Sequence, residues 1–217
     1  TFVLPLAQTN GWQFLKYRKI PSNTFHCTPT GLVIGVTNSA APAVFPLTNE
    51  LSVVKIRVRG TISGSLKVPP GKQGQKGFDD FVLRVGLVEP GTHTLSWWQK
   101  RVAADWVKKL FSLTPSGKGI SKIHFFNVGT DAAQIGRNWT YNSGVPMEQT
   151  VVAVPDAGGF FTFTNSFAKP LDVIAIWISS DGDDTHSSFS ITLSQAQFTT
   201  ANAFSTGIKH PPRASNP

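Results

Sequence analysis

Lys55-Ile56-Arg57-Val58-Arg59 alternates strictly between basic and apolar side chains. Alternation with a period of two predicts a β-strand that buries one face and exposes the other to water. The apolar character of this strand begins further upstream, in Leu51–Val54. Gly60 is expected to end the strand, and the next strand is predicted from Ile62 to Val68.

Similar short apolar runs recur along the chain and are separated by turn signals such as Pro90-Gly91 and Asp181-Gly182. About ten strands in a chain of this length predict an all-β fold, a β-sandwich or jelly roll, built as a single domain over residues 1–217. Residues 199–217 are largely polar and are predicted to form a C-terminal tail. The other predicted strands are Trp12–Tyr17, Gly31–Val36, Phe81–Val88, Ile120–Val128, Thr150–Val154, Phe160–Phe163, Val173–Ser179 and Phe189–Phe198.

Residues 96–113 depart from this pattern and show helical spacing. Their apolar side chains recur at steps of four, four, four and three, at Trp98, Val102, Trp106, Leu110 and Leu113. Such a stripe predicts one amphipathic α-helix over about 96–113, which covers an end or a face of the sandwich. The two tryptophans are expected to belong to the core, although a basic amphipathic helix also suits a membrane surface.

The composition excludes several classes of protein. Charged residues make up 15% and hydrophobic residues 40% of the chain, which argues against a disordered chain or a coiled coil. Cys27 is the only cysteine, so neither an intrachain disulfide nor a multi-cysteine metal site is possible. No apolar run is long enough for a transmembrane helix. The net charge is +8, and residues 1–126 hold 16 Lys and Arg against 5 Asp and Glu, which favours anionic partners.

Two short acidic groups contain five of the twelve acidic residues. Asp79 and Asp80 precede a strand, while Asp181, Asp183 and Asp184 follow one. Adjacent carboxylates repel each other unless they are paired, solvated or bound to a cation. An oxygen-rich, glycine-containing turn suits Ca²⁺, so the sequence predicts a structural Ca²⁺ site at these five residues if the groups meet in space. The alternative is an ordinary solvated acidic turn.

Catalytic patterns are weak. The chain has neither a Gly-x-Ser-x-Gly nucleophile elbow nor a phosphate-binding P-loop. Asp80 and Asp183 are a candidate pair of glycosidase carboxylates, but nothing in the sequence marks them as partners. His186 lies next to the acidic turn and is a candidate acid or base. No catalytic residue is therefore assigned, and the sequence leans away from an enzyme.

Aromatic and basic side chains supply the binding signal. Exposed tryptophans stack on sugar rings or bases, and neighbouring cations attract anionic ligands. Trp139 lies in a polar stretch predicted to be a loop, and Trp12 follows a turn-like Asn-Gly pair. The predicted ligand-binding residues are Trp139, Trp12, Arg137, Tyr141, Lys55, Arg57 and Arg59. The alternative for Trp139 is a structural anchor.

Many short strands, one helix and a long tail are features that the chain shares with two broad jelly-roll groups. One comprises carbohydrate-binding modules, in which a structural Ca²⁺ is common, and the other comprises viral coat proteins. Because this resemblance is an analogy of fold, it assigns no role to any residue.

Three functions are predicted in order of preference. The first is a non-catalytic, exported module, secreted or at the cell surface or periplasm, that binds a glycan or another anionic polymer. The second is a self-assembling subunit of a shell or filament, such as a coat protein in a virion, whose apolar Thr1–Leu6 and tail reach a neighbouring copy. The third is a carbohydrate-active hydrolase or lyase that uses the acidic cluster. Sequence-specific nucleic-acid binding is disfavoured because no reader motif is present.

Overall fold

The computed structural model describes residues 1–92, 94, 105–114, 119–142 and 144–201. Eleven strands and one α-helix lie within these residues. The helix, α1, spans Asp105–Ser112. The strands are β1 (Phe2–Val3), β2 (Gln13–Phe14), β3 (Thr24–Thr28), β4 (Gly31–Thr37), β5 (Ala40–Ser65), β6 (Leu83–Gly91), β7 (Gly119–Val128), β8 (Asn138–Asn142), β9 (Pro146–Ala153), β10 (Phe160–Asp181) and β11 (Ser188–Thr200).

The strands form one sheet in the order β3-β4-β11-β5-β10-β6-β7-β9-β8, with β1 paired to β11 and β2 paired to β5. All pairs are antiparallel except β7 with β9. The main core combines residues of β4 and β11 with residues of β6 and β7, although two other strands separate these pairs in the sheet order. The sheet therefore folds over on itself, and the all-β sandwich predicted from the sequence is confirmed.

The long strand β5 corrects the prediction that Gly60 ends a strand. Residues 55–59 alternate between exposed and buried as predicted, but the strand continues through Gly60 to Ser65. Gly60 lies on the buried face, where a Cβ atom would come within 2.5 Å of Phe161 and 2.7 Å of the carbonyl oxygen of Thr192. The glycine is required by this close approach and marks no turn.

Helix α1 packs on the outward face of the sheet, away from the main core. Val107 and Leu110 are buried, and Leu110 belongs to a second apolar cluster with Ile123 and Trp177. Asp105 in the first turn and Lys109 in the last turn complement the helix dipole. The predicted helix over 96–113 is confirmed for its second half, whereas residues 96–104 lie outside the described residues.

The N-terminal strand pairs within its own chain. In β1, Phe2 and Val3 lie opposite Phe198 and Gln197 of β11. Leu4 continues this pairing through its backbone N–H, which donates to the carbonyl of Ala196. Thr1–Leu6, which was expected to reach a neighbouring copy, thus contributes a strand to its own sheet. The predicted tail over 199–217 begins too early, since β11 continues to Thr200, and residues 202–217 lie outside the described residues.

Candidate functional site

A pocket of about 250 Å³ opens on the outward face of the sheet beside α1. The alternation of β10 places Trp177, Ser179 and Asp181 on this face. Arg84 of β6 lies opposite Ser179, and Tyr141 of β8 also lines the pocket. All five carboxylates predicted as a cluster line the pocket, at Asp79, Asp80, Asp181, Asp183 and Asp184.

Arg84 is the centre of the polar part of the pocket. Its side chain is only 7% exposed, and its Nε donates to Asp181 Oδ2 at 2.6 Å. Nη1 donates to Gln149 Oε1 at 3.0 Å. Nη2 lies 3.2 Å from Asp79 Oδ2 and also donates to the carbonyl of Asp79. A buried guanidinium therefore joins the two acidic groups, as a buried charge requires.

Hydrogen bonds to Asp80 fix the acidic turn against the start of β6. Asp80 Oδ2 accepts from the backbone N–H of Thr185 at 2.8 Å and from its hydroxyl at 2.6 Å. Asp80 Oδ1 accepts from the N–H of Asp184 at 3.3 Å. In return, Asp184 Oδ2 accepts from the N–H of Asp79 at 3.0 Å. The two acidic groups therefore do meet in space, and their carboxylate oxygens accept hydrogen bonds from backbone N–H groups and from the Thr185 hydroxyl.

The structure supplies an alternative to the predicted calcium ion. Arg84 is the counter-ion of Asp79 and Asp181, and both oxygens of Asp80 accept hydrogen bonds. Within the described part of the chain, no three His, Cys, Asp or Glu side chains converge in a manner suited to a metal ion. Calcium binding by these five aspartates stays a prediction.

Burial changes the titration of the acidic side chains. It raises the pKa of Asp181 to about 7, even though the ion pair with Arg84 opposes the shift. Burial also raises the pKa values of Asp80 and Asp183. The pKa of Tyr141 is raised for the same reason. The pocket therefore holds three carboxyl groups whose pKa values lie above the usual range of an aspartate.

Aromatic rings form the apolar wall of the pocket. Trp177 packs edge-to-face against Trp106 at 5.5 Å and Phe125 at 5.7 Å between ring centroids. Tyr17 packs similarly against Trp106 at 6.2 Å. Gly86 makes room for this arrangement, because a Cβ atom there would lie 2.7 Å from the Phe125 ring. Four aromatic side chains from four separate segments of the chain thus converge beside the carboxylates.

Two buried polar atoms at the pocket have no hydrogen-bond partner among the described residues. They are Trp177 Nε1, a donor, and Asp79 Oδ1, an acceptor. Both residues line the pocket, and Trp177 is 2% exposed. An unpartnered buried polar group costs about 1–3 kcal/mol, and both of these atoms belong to residues that line the pocket.

The predicted ligand-binding aromatics have three different outcomes. Tyr141 lines the pocket. Trp139 lies in strand β8, which corrects the predicted loop. Its ring stacks on Phe81 with 6.1 Å between ring centroids, and the guanidinium of Arg137 lies 4.9 Å from the centroid of the Trp139 ring. Trp12 is only 5% exposed and donates from Nε1 to the carbonyl of Pro5 at 2.9 Å, so the prediction of an exposed ring is wrong.

Other predicted residues lie away from the pocket. Lys55, Arg57 and Arg59 are exposed on β5 and do not line the pocket. His186 does not line it either, and its Nδ1 lies 2.7 Å from Asn38 Oδ1. The role of His186 as the acid or base of the cluster has no geometric support.

Sequence reasoning missed the two residues that organise the pocket. Arg84 is the single charge in the apolar strand Phe81–Val88, which is the signal that would have found it. A lone arginine in a buried strand needs a partner, and this chain has few carboxylates to offer. Trp177 lies in the predicted apolar strand Val173–Ser179 and is buried there, but it also forms the pocket wall.

No protein-family model and no curated protein matches the chain. Among solved structures, the catalytic domain of Humicola grisea Cel12A, determined with a thio-cellotetraose, is 9% identical with a TM-score of 0.44 and covers 88% of this chain and 94% of that one. The Rhodothermus marinus endoglucanase Cel12A is 6% identical with a TM-score of 0.43, covering 91% and 96%. A xylan-binding module, CBM15, is 11% identical with a TM-score of 0.37, covering 92% and 97%. Likeness at this level establishes neither a family nor a function.

The described residues contain no helix with the length and apolar character needed to cross a membrane.

Proposed function

We propose that this protein is a carbohydrate-binding module whose pocket holds one sugar ring, or the end of a glycan chain. The observation that carries the proposal is the pair of unpartnered polar atoms, Trp177 Nε1 in the aromatic wall and Asp79 Oδ1 in the acidic cluster, on residues that line one pocket. A sugar hydroxyl both accepts and donates, so hydroxyl groups satisfy such a donor and such an acceptor. The C–H face of a sugar packs on an aromatic ring.

The size of the pocket supports a small ligand. Its volume of about 250 Å³ lies below the roughly 300–1,000 Å³ of sites for drug-sized molecules. Carboxyl and guanidinium groups occupy one side, at Asp181, Asp183 and Arg84, while Trp106 and Tyr141 lie among the lining aromatics. An apolar wall with a few convergent polar groups is the usual composition of a small-molecule site.

Glycan binding is tested by an array of neutral and acidic glycans followed by calorimetric titration of the best ligand. Trp177→Phe keeps an aromatic ring and removes the N–H, so we expect about tenfold weaker binding, equivalent to the loss of one hydrogen bond of about 1.4 kcal/mol. Trp12→Phe is the matched control, because it removes the bonded indole N–H of a buried tryptophan outside the pocket. Binding of no glycan, or equal affinity of the Trp177→Phe variant and the parent protein, would overturn the proposal.

Glycoside hydrolysis is the second candidate function, favoured by the pKa of about 7 at Asp181. A general acid must hold its proton near the working pH, and Asp183 supplies another carboxyl group in the same pocket. The ion pair of Asp181 Oδ2 with Arg84 at 2.6 Å opposes this role, since it holds the carboxyl group in place. Release of reducing sugar from the array's best ligand, abolished by Asp183→Asn, would favour hydrolysis over binding alone.

A further inference from the structure

Three neighbouring strands present a regular array of polar side chains on an outward face of the sheet. In the centre, β5 exposes Lys55, Arg57 and Arg59 at alternate positions. The strand pairing places β11 on one side and β10 on the other. The resulting cross-strand rows are Thr199–Lys55–Ser166, Gln197–Arg57–Thr164 and Gln195–Arg59–Thr162. We call the three central cations the basic column.

The basic column forms no ion pair among the described residues. None of the nine positions of the array is acidic or aromatic. Asp156 lines a hollow beside Arg59, but its Oδ1 accepts from the backbone N–H groups of Gly158 and Phe160. Three unpaired cations in line therefore face solvent.

The spacing of the basic column suits a linear ligand. Alternate residues of a strand lie about 6.6–6.8 Å apart, so the three cations follow one straight line along β5. The hydroxyl and amide groups of the flanking strands can bond to uncharged groups on either side of that line. Three of them are engaged within the protein, since Thr162 Oγ1 donates to the carbonyl of Val58 and Gln195 Nε2 donates to Gln197 Oε1.

We propose that this face binds an anionic polysaccharide, with its carboxylate or sulfate groups on Lys55, Arg57 and Arg59. Arginine bonds carboxylates and sulfates through two parallel N–H groups, and flanking hydroxyls and amides suit sugar hydroxyls. A single-stranded nucleic acid would need rings on which bases stack. The array has none, and Phe160, 61% exposed, lies one row beyond its end opposite Thr61. This second site is independent of the pocket described above.

The test is titration of the full chain with sodium alginate, a polyuronate, with neutral dextran and an oligo-dT strand as comparison ligands. We expect alginate to bind, more weakly as salt rises, and dextran to show no binding. Lys55→Gln/Arg57→Gln/Arg59→Gln should weaken alginate binding at least tenfold. Lys67→Gln/Lys72→Gln/Lys76→Gln is the matched control, because it removes three exposed cations that follow the far end of β5 and leaves the array intact.

Four results would overturn the proposal. They are absence of alginate binding, equal weakening by the control variant, unchanged binding by the triple variant of the basic column, and tighter binding of oligo-dT than of alginate. The second result would show a general effect of net charge, and the last would assign the face to nucleic acid. Thermal melts of both triple variants establish that each is folded, since exposed substitutions change stability by about 0.5 kcal/mol or less. Failure here leaves glycan binding in the pocket unaffected.

Discussion

Arg84 and the basic column hold the same type of charge in opposite settings. The guanidinium of Arg84 is 7% exposed and bonds to Asp79, Asp181 and Gln149. Arg57 and Arg59 lie on a solvent-exposed face and have no carboxylate partner in the described residues. A buried arginine must be paired, so Arg84 stabilises the fold through its ion pairs. An exposed arginine without a carboxylate partner can attract an anionic ligand instead.

The largest effect is expected from Arg84→Gln. This change leaves Asp79 and Asp181 without their counter-ion, and breaking a buried ion pair costs about 3–5 kcal/mol of unfolding free energy. Chemical denaturation measures that loss. Arg57→Gln is the control and should change stability by about 0.5 kcal/mol or less. Similar losses in both variants would break the comparison.

Gly60→Ala tests the buried side of the strand that bears the basic column. A Cβ atom there would lie 2.5 Å from Phe161 and 2.7 Å from the Thr192 carbonyl oxygen. Overpacking of this kind costs about 1–3 kcal/mol. Thermal melting should show the loss. Unchanged stability would mean that the close approach of the strands at Gly60 is not required.

Stability should fall as the pH rises from about 4 to about 7. Burial raises the pKa of Asp181 to about 7 in the folded protein, above the value of about 3.9 for an unfolded aspartate. In this window the folded state holds a proton that the unfolded state releases, so a higher pH favours unfolding. Asp181→Asn should flatten the dependence of unfolding free energy on pH. A slope that stays the same in this variant would contradict the assignment.

Calcium should have the smallest effect, because Arg84 already forms ion pairs with two of the five clustered aspartates. We expect nearly equal melting temperatures in calcium and in chelator. A bound ion at a hundredfold excess over its Kd would instead stabilise the protein by roughly 3 kcal/mol. A shift of that size, lost in Asp184→Asn, would show that the calcium site predicted from the sequence exists and that Arg84 is not a sufficient counter-ion.

Most of the fold was predictable from the alternation of apolar and polar residues within short segments. Residues 55–59 were predicted as a half-buried strand and are one. The pattern is local, since each side chain faces the core or water according to its own position. The predicted strand ends were less accurate, as at Gly60, because a close approach of Phe161 from another strand decides whether a glycine bends a strand or fits inside it.

The pocket was only half predictable. Five aspartates in two groups were recognised because adjacent like charges need an explanation. Arg84 was not, because its partners Asp181 and Gln149 are 97 and 65 residues away along the chain. The prediction that Trp12 is exposed was wrong for a related reason. The groups that bury its ring, Pro5 and the ring of Phe45 at 5.4 Å between centroids, come from outside its own segment.

The central claim, that the pocket binds a sugar, is tested most directly by the indole N–H signals of the protein in a two-dimensional proton–nitrogen spectrum. Trp177→Phe assigns the signal of Trp177, and Trp12→Phe assigns that of Trp12. On titration with the best ligand from the glycan array, we predict that the Trp177 signal moves in a saturable manner while the Trp12 signal stays in place. A ligand that binds and leaves the Trp177 signal unmoved would contradict the account.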